Sequence, residues 1–471
     1  MIIYVQFGIM LDMETFYLIK WSKNILILGL AVFCVFQTLR LWFDDMPSLS
    51  LFGNMLGFES APNHAEALSN LARPKRLLAS GDGAAFICLH SNITETEQFI
   101  SARKAISALF HSGGQAEVFE GAEIDWPSYF TGDTLVLDYG FPMPITAFAA
   151  AFGNSQAVIN PRIGQFDMIF FIPWDGGNKV VFADTLSETQ IVGEIIISGA
   201  TPIVYGVLDD WQNLLYMVSF PAYMGPGSPV FIPQSGYGGL AFIQGRLFGL
   251  LERREDYVVN TRNVMSLLDP FFDNPAAVRR EYKDGEFVFS DAYTSARYRS
   301  DHYIKYRNWR ERRGRDTGSF EAAYAEAVTF MLRDTSIGNE YYLEGYKHEG
   351  GTFTFYFNYI FEDFPVMLDQ RFGSVLDISS CIEITVEKGR VSEYKRFAME
   401  LHPVILGFTS RPEISGQAVF NELRFQGWEG AHAGYLNSMD LVYLLYIGEQ
   451  MGHLNYDVEY AGASFIFPVR E

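Results

Sequence analysis

The sequence predicts an α+β fold in which antiparallel sheets carry helices on one face. Aromatic residues make up 16% of the 471-residue chain and are joined by 42 glycines, a composition typical of sheet-rich proteins. Short alternating strands are separated by glycine-containing turns, and helical periodicity is confined to a few segments. One apolar run near the N-terminus adds a single transmembrane helix, so we expect an anchored, multidomain extracytoplasmic part.

The predicted membrane helix spans Asn24–Phe43, about twenty residues at 1.5 Å each, close to the thickness of the hydrocarbon core. Lys20 and Lys23 precede it, and Asp44 and Asp45 follow it. The positive-inside bias therefore predicts a single-pass protein of the cell membrane, with a cytoplasmic N-terminus and an extracytoplasmic bulk. A cleaved signal peptide remains the alternative, but the nearest small-x-small site, Ser48-Leu49-Ser50, lacks the usual pair of alanines.

Composition shifts and loop-rich stretches divide the chain into six predicted segments. These are a cytoplasmic N-terminus (1–23), the transmembrane helix (24–43), a stalk (44–73), an N-terminal α+β domain (74–275), a central α+β domain (276–370) and a C-terminal α+β domain (371–471).

In the first domain, residues 76–80 and 83–90 alternate as strands, and Thr94–Glu97 reads as a capping box opening a helix that Gly113 ends. The elements expected next are a strand, a short helix, a hairpin and an irregular loop, at 134–139, 145–152, 167–184 and 221–239.

The remaining domains show the clearest helix of the chain. Its apolar residues recur at helical spacing and predict one buried stripe: Phe320, Ala323, Tyr324, Ala327, Val328, Met331 and Leu332. We expect the aromatic residues alternating along 352–361 to bury one face of a hairpin with 341–346. The other predicted elements are strands at 287–290, 296–299, 304–306, 382–386, 391–397, 441–446 and 463–469, and a helix at 415–424.

Charge and motifs narrow the function classes. A net charge of −21 excludes proteins that hold nucleic acid over a broad basic surface. The chain has no Gly-Lys dipeptide for a P-loop, no G-x-G-x-x-G and no G-x-S-x-G. Its histidines are scattered singly, and Cys34, Cys88 and Cys381 lack metal-ligand spacing. We therefore predict no catalytic, cofactor or metal site; a Cys88–Cys381 bridge stays open.

Carboxylate pairs leave one enzymatic alternative. Asp209-Asp210 or Glu362-Asp363 could serve an extracytoplasmic wall-active hydrolase, since two carboxyl groups suffice for glycoside hydrolysis. Neighbouring residues of a strand point to opposite faces, so neither pair by itself flanks one bond. A passive surface-binding module is the other alternative.

Residues 305–315 contain six Lys or Arg and one acid, against the acidity of the whole chain. They read either as a solvated linker or as a docking patch for an acidic partner, because Arg and Trp are favoured hot-spot residues. The candidate contact residues are Trp309, Arg310, Arg312 and Arg313.

Several stretches of the chain together form a recognisable pattern: Leu41-Trp42-Phe43, Ala72-Arg73-Pro74-Lys75-Arg76, 284–291, Arg297-Tyr298, 304–308, 391–395, 441–446 and Phe467-Pro468-Val469. This pattern resembles the YycH family, membrane-anchored regulators of the WalK/WalR (YycG/YycF) two-component system of Gram-positive bacteria. Where the family usually closes with Pro-Trp, this chain has Pro468-Val469, so it looks like a divergent member.

The resemblance implies three extracytoplasmic domains, no catalysis and no cofactor. It implies a complex with a WalK-like sensor histidine kinase and a YycI-like regulator, controlling cell-wall metabolism partly through contacts between membrane helices. In such contacts small residues permit close approach, which makes Gly29 and Ala31 candidate partner-contact residues.

Overall fold

The structure is a computed structural model, and it describes eighteen stretches of the chain. These are residues 64–80, 85–130, 132–154, 157–198, 203, 215–219, 229–234, 242–247, 261–299, 303–310, 318–334, 336–338, 340–361, 363–403, 415–427, 436–446, 451–460 and 463–469. The predicted membrane helix, Gly29, Ala31, Arg312 and Arg313 lie outside these stretches. Within them, no helix combines the length and the apolarity needed to cross a membrane.

The prediction of an α+β fold with antiparallel sheets is confirmed: the described strands form two sheets. The first has nine strands, in the order β3-β7-β6-β5-β4-β1-β2-β8-β9. Their bounds are β1 (Arg76–Ser80), β2 (Ala85–Leu89), β3 (Glu117–Glu120), β4 (Thr134–Pro144), β5 (Gln165–Trp174), β6 (Gly177–Asp184), β7 (Ile191–Ser198), β8 (Leu215–Ser219) and β9 (Phe231–Gln234).

The second sheet has fourteen strands. They are β10 (Phe242–Leu247), β11 (Arg279–Lys283), β12 (Glu286–Ser290), β13 (Thr294–Arg299), β14 (Tyr303–Asn308), β15 (Glu340–Glu349), β16 (Thr352–Phe361), β17 (Phe364–Leu368), β18 (Ile382–Glu387), β19 (Arg390–Phe397), β20 (Met399–Pro403), β21 (Leu436–Leu445), β22 (Met451–Tyr460) and β23 (Ala463–Pro468). Its main path runs β11-β12-β13-β14-β19-β18-β16-β17-β21-β22-β10-β20, and β15 and β23 branch from β16 and β22. The pair β17–β21 is parallel, while the other described pairs are antiparallel.

Seven α-helices are described beside the sheets. They are α1 (His64–Ser69), α2 (Glu97–Ser112), α3 (Ile145–Ala151), α4 (Thr261–Leu268), α5 (Phe320–Met331), α6 (Gln370–Leu376) and α7 (Gly416–Phe425). The N-cap of helix α2 lies two residues after the predicted one, because the Thr96 side chain, not that of Thr94, accepts a hydrogen bond from the Phe99 N–H at 3.2 Å. It ends as predicted at Gly113, whose left-handed φ of 67° suits a residue without a side chain.

The predicted stripe of α5 is buried except at its end, where Leu332 lies just past the helix and is 40% exposed. Ala325 and Phe330, which lie off the stripe, are also buried. The reason is that α5 packs against β16, β18 and β19 on one side and against α1 on another. A helix covered on two sides buries more than one face.

The alternating aromatic residues of β16 are buried on one face, as predicted: Phe353, Phe355, Phe357 and Tyr359. The loop predicted at 221–239 is partly wrong, since residues 231–234 form β9. This strand contains Pro233, which a sheet tolerates at an edge, and β9 is an edge strand.

Both sheets belong to one compact unit, Pro62–Phe271 with Arg279–Glu471, and residues 272–278 fall outside it. Within this unit the sheets meet where β4 approaches β15 and β9 approaches β21. The rings of Phe141 on β4 and Tyr346 on β15 pack edge to face at 6.3 Å. The predicted domain boundaries near residues 275 and 370 remain a prediction.

Candidate functional site

A buried cluster of charged side chains lies where the two sheets meet. Its centre is Arg76, the first residue of β1, which is 5% exposed. Its Nε donates to Asp138 Oδ2 of β4 at 2.6 Å, and its Nη1 donates to Asp440 Oδ1 of β21. One guanidinium group therefore bridges a carboxylate of its own sheet and a carboxylate of the other.

Lys75 strengthens the same bridge from the residue before β1. Its Nζ donates to Asp440 Oδ2 at 2.9 Å and lies 3.7 Å from Glu344 Oε1 on β15. Asp440 thus binds Arg76 with one oxygen and Lys75 with the other. Two consecutive cations of the first sheet are held by one carboxylate of the second.

A second set of polar contacts continues the junction. Arg73 donates from Nη2 to Glu340 Oε1 at 2.5 Å and from Nη1 to the Tyr341 carbonyl at 2.8 Å, both on β15. The Ser91 hydroxyl, just past β2, donates to Asp363 Oδ1 ahead of β17. The segment leading into β1 and the end of β2 therefore both contact the second sheet.

The charges at the centre are kept ionised by each other. Burial would raise the pKa of Asp440, but Arg76 and Lys75 outweigh it and hold the pKa below its usual range. Burial likewise opposes the charge on Arg76, yet Asp440 and Asp138 raise its pKa. A buried ion pair of this kind is costly to break, because removal of one partner leaves an uncompensated charge.

Asp457 on β22 lies directly across from Asp440 in the sheet register. Burial, followed by the negative charge of Asp440, raises the pKa of Asp457 to about 7. The junction therefore carries one carboxyl group that changes its protonation near neutral pH.

His90 and Cys88 lie beside the cluster, with His90 Nδ1 3.8 Å from Cys88 Sγ. Burial lowers the pKa of His90 to about 3 and raises that of Cys88. Both groups are neutral at pH 7, so this pair does not present an activated thiolate. Cys88 and Cys381 are both free and buried.

Within the described stretches no group of three or more His, Cys, Asp or Glu side chains lies close enough together to hold a metal ion. Of the carboxylate pairs weighed for a hydrolase, Asp209, Asp210 and Glu362 lie outside the described residues. Asp363 is described, and its carboxylate accepts the hydrogen bond from Ser91.

Of the predicted docking residues, Trp309 and Arg310 are described, and Arg312 and Arg313 lie outside the described stretches. Trp309 is described and 60% exposed, and the Arg310 guanidinium lies 4.9 Å from the centre of the Tyr293 ring. Two cations of the same run pair with carboxylates of this chain: Lys305 Nζ lies 3.2 Å from Asp377 Oδ2, and Arg307 Nε, on a half-exposed side chain, lies 2.8 Å from Glu393 Oε1. The first part of the run therefore forms ion pairs within the sheet, and Trp309 is exposed to solvent.

The ion cluster was not predicted from the sequence. Asp138 interrupts the apolar stretch Thr134–Tyr139, and Asp440 directly precedes another at Leu441–Tyr446. A charged residue inside a buried strand needs a partner, so both positions carried a signal. What the sequence alone does not show is that Arg76 pairs with both.

No protein-family model and no curated protein matches the sequence. The crystal structure of YycH from Bacillus subtilis aligns with a TM-score of 0.51 and 15% identity, covering 87% of this chain and 98% of that one. This chain has a YycH-like fold. An uncharacterized protein from Eubacterium rectale aligns with a TM-score of 0.31 and 11% identity over 50% of this chain and 90% of that one, too weakly to support an inference.

Proposed function

We propose that this protein is a non-catalytic regulator of a WalK-like sensor histidine kinase in a two-component system that controls cell-wall metabolism. The YycH-like fold, which extends over 87% of the chain, is the observation that supports it. Its proposed partners are the kinase and a YycI-like regulator. The protein is proposed to be anchored in the cell membrane by residues 24–43, with its bulk outside.

The mechanism follows from a two-state kinase. A regulator shifts such an equilibrium only if it contacts the two states differently. Contacts between membrane helices supply one such difference, and Gly29 and Ala31 permit close approach of a neighbouring helix. The ion cluster contributes a rigid connection, because Arg76 and Lys75 tie the sheet that first follows the proposed anchor in the sequence to the second sheet.

Crosslinking in intact membranes followed by purification of the tagged protein tests the proposal. We expect the histidine kinase and a YycI-like protein to be recovered with the wild type. Gly29→Leu is expected to reduce recovery of the kinase. An uncharged substitution of Val158, which is exposed in the folded part, is expected to leave recovery unchanged. Recovery of neither partner with the wild type would reject the proposal.

A further inference from the structure

The open face of the second sheet gathers cations that belong to several strands. In one row of the sheet register, Arg279 of β11 and Arg307 of β14 flank two serines. In the next row on the same face, Arg297 of β13, Lys305 of β14 and Lys395 of β19 stand directly opposite one another. The rows between them, which include Phe289 and Ala296, point into the core.

Three like charges in a row destabilise a sheet unless acids compensate them. Lys305 and Lys395 are compensated, since both contact Asp377 and Glu393. Arg297 is not compensated in the same way: its side chain is 55% exposed, and its contact with Glu286 is 3.9 Å long. Arg297 is thus available to an outside carboxylate.

Two exposed aromatic side chains border these cations. Tyr293 is 50% exposed and Trp309 is 60% exposed. The backbone N–H of Trp309 donates to the Tyr293 carbonyl at 2.8 Å, so the hydrogen bonding between β13 and β14 continues by one more residue pair. By strand alternation Tyr293 and Trp309 lie on the same face as Arg307. We call Tyr293, Arg297, Arg307, Trp309 and Arg310 the basic face.

The basic face is held in place before any partner arrives. The Asp291 carboxylate accepts the N–H groups of Tyr293 and Thr294 at 2.7 and 2.6 Å, and the Arg310 N–H donates to Asn308 Oδ1 at 3.0 Å. The Arg310 side chain covers one side of the Tyr293 ring. A backbone that is already held in place reduces the entropy lost on binding, and Trp, Tyr and Arg are the residue types that dominate interface energies.

We propose that the basic face docks an acidic surface of the kinase's extracytoplasmic domain, an inference that rests on the proposed function. The whole chain carries a charge of −21, so an acidic partner is repelled by most of its surface and accepted where cations collect. Glu281, Glu286 and Glu393 lie among the cations of this side of the sheet. Such a mixed pattern suits the varied charges of a protein better than a uniformly anionic lipid surface.

Binding of the purified extracytoplasmic kinase domain to the full-length protein in nanodiscs tests the inference. We expect Arg297→Glu with Arg310→Glu to weaken binding at least tenfold and Trp309→Ala to weaken it about tenfold. The wild-type affinity should fall as salt rises from 50 to 300 mM, and this dependence should be flatter in the double variant.

Two control variants match these changes elsewhere on the molecule. Arg103→Glu with Lys104→Glu makes the same charge change on the exposed side of α2, and Trp174→Ala removes a Trp that is 48% exposed at the β5–β6 hairpin. Both should bind within twofold of the wild type. All variants should keep the wild-type melting temperature, which separates loss of docking from loss of fold.

The outcomes distinguish this inference from the proposed function. Wild-type binding by the double variant, or a loss equal to that in the controls, overturns the docking surface. The same substitutions should weaken binding to phosphatidylglycerol vesicles, and self-association of the chain, less than they weaken binding to the kinase domain. An equal loss in either assay overturns the choice of partner. Recovery of the kinase from membranes without binding to its isolated domain overturns the docking surface and leaves the proposed function standing; no recovery rejects both.

Discussion

At the residue scale, Arg76 is the side chain on which the junction of the sheets depends most. We expect Arg76→Met to lower the free energy of unfolding by about 3–5 kcal/mol, because Asp138 and Asp440 keep their buried charges and lose their shared partner. Denaturant unfolding of the purified protein measures this loss.

Arg162→Met is the matched control for that change. Arg162 also pairs with a carboxylate, Glu120, but its side chain is 59% exposed. We expect a loss of no more than about 1 kcal/mol, since water screens exposed ion pairs. Similar losses in Arg76→Met and Arg162→Met would show that the cluster contributes no special stability.

Asp457 gives the junction a pH dependence. Its pKa of about 7 lies above the value in an unfolded chain, so the folded state binds the proton more tightly. The resulting stabilisation is complete below about pH 4 and is lost as the pH rises through 7. Asp167 on β5, whose pKa burial also raises to about 7, contributes in the same window.

We expect Asp457→Asn to raise the free energy of unfolding at pH 8 by on the order of 1 kcal/mol and to leave it little changed at pH 4. Melting curves from pH 4 to 8 measure this, with Glu188→Gln, at an exposed position between β6 and β7, as the control. An unchanged pH profile in Asp457→Asn would contradict the assigned pKa.

At the element scale, helix α5 shows how far sequence pattern reaches. The periodicity of its apolar residues predicted the buried stripe, because that side must face a sheet. The burial of Phe330 could not be read from the stripe, since it depends on Phe271, Tyr306 and Tyr394, which other elements bring against its ring. Strand β10 is similar: its partners, β20 and β22, come from more than 150 residues away.

Phe330 tests a buried position of α5 that lies off the predicted stripe. Its ring lies 5.6 Å from Phe271, 4.8 Å from Tyr306 and 5.7 Å from Tyr394. We expect Phe330→Ala to lower the free energy of unfolding by about 3–5 kcal/mol, the usual cost of a cavity left by a buried aromatic ring. Leu332→Ala, at the exposed end of the helix, should cost less than about 1 kcal/mol; equal losses would place Phe330 outside the core.

At the scale of the whole molecule, hairpins and fold class were predictable because they depend on local turns and on alternation along the strand. Gly350-Gly351, for example, turns the hairpin that was predicted between 341–346 and 352–361. The junction was not predictable, because Arg76 and Asp440 lie 364 residues apart. No local pattern encodes a pair at that separation, although each member signals the need for a partner.

The central claim is that this protein changes the activity of a sensor histidine kinase. The most direct measurement is the autophosphorylation rate of the kinase reconstituted in vesicles with and without the full-length protein. We expect the rate to change when the wild type is present and to change less when residues 24–43 are replaced by an unrelated membrane span. A rate that is the same with the wild type, with the replaced span and in vesicles that contain the kinase alone would contradict the claim.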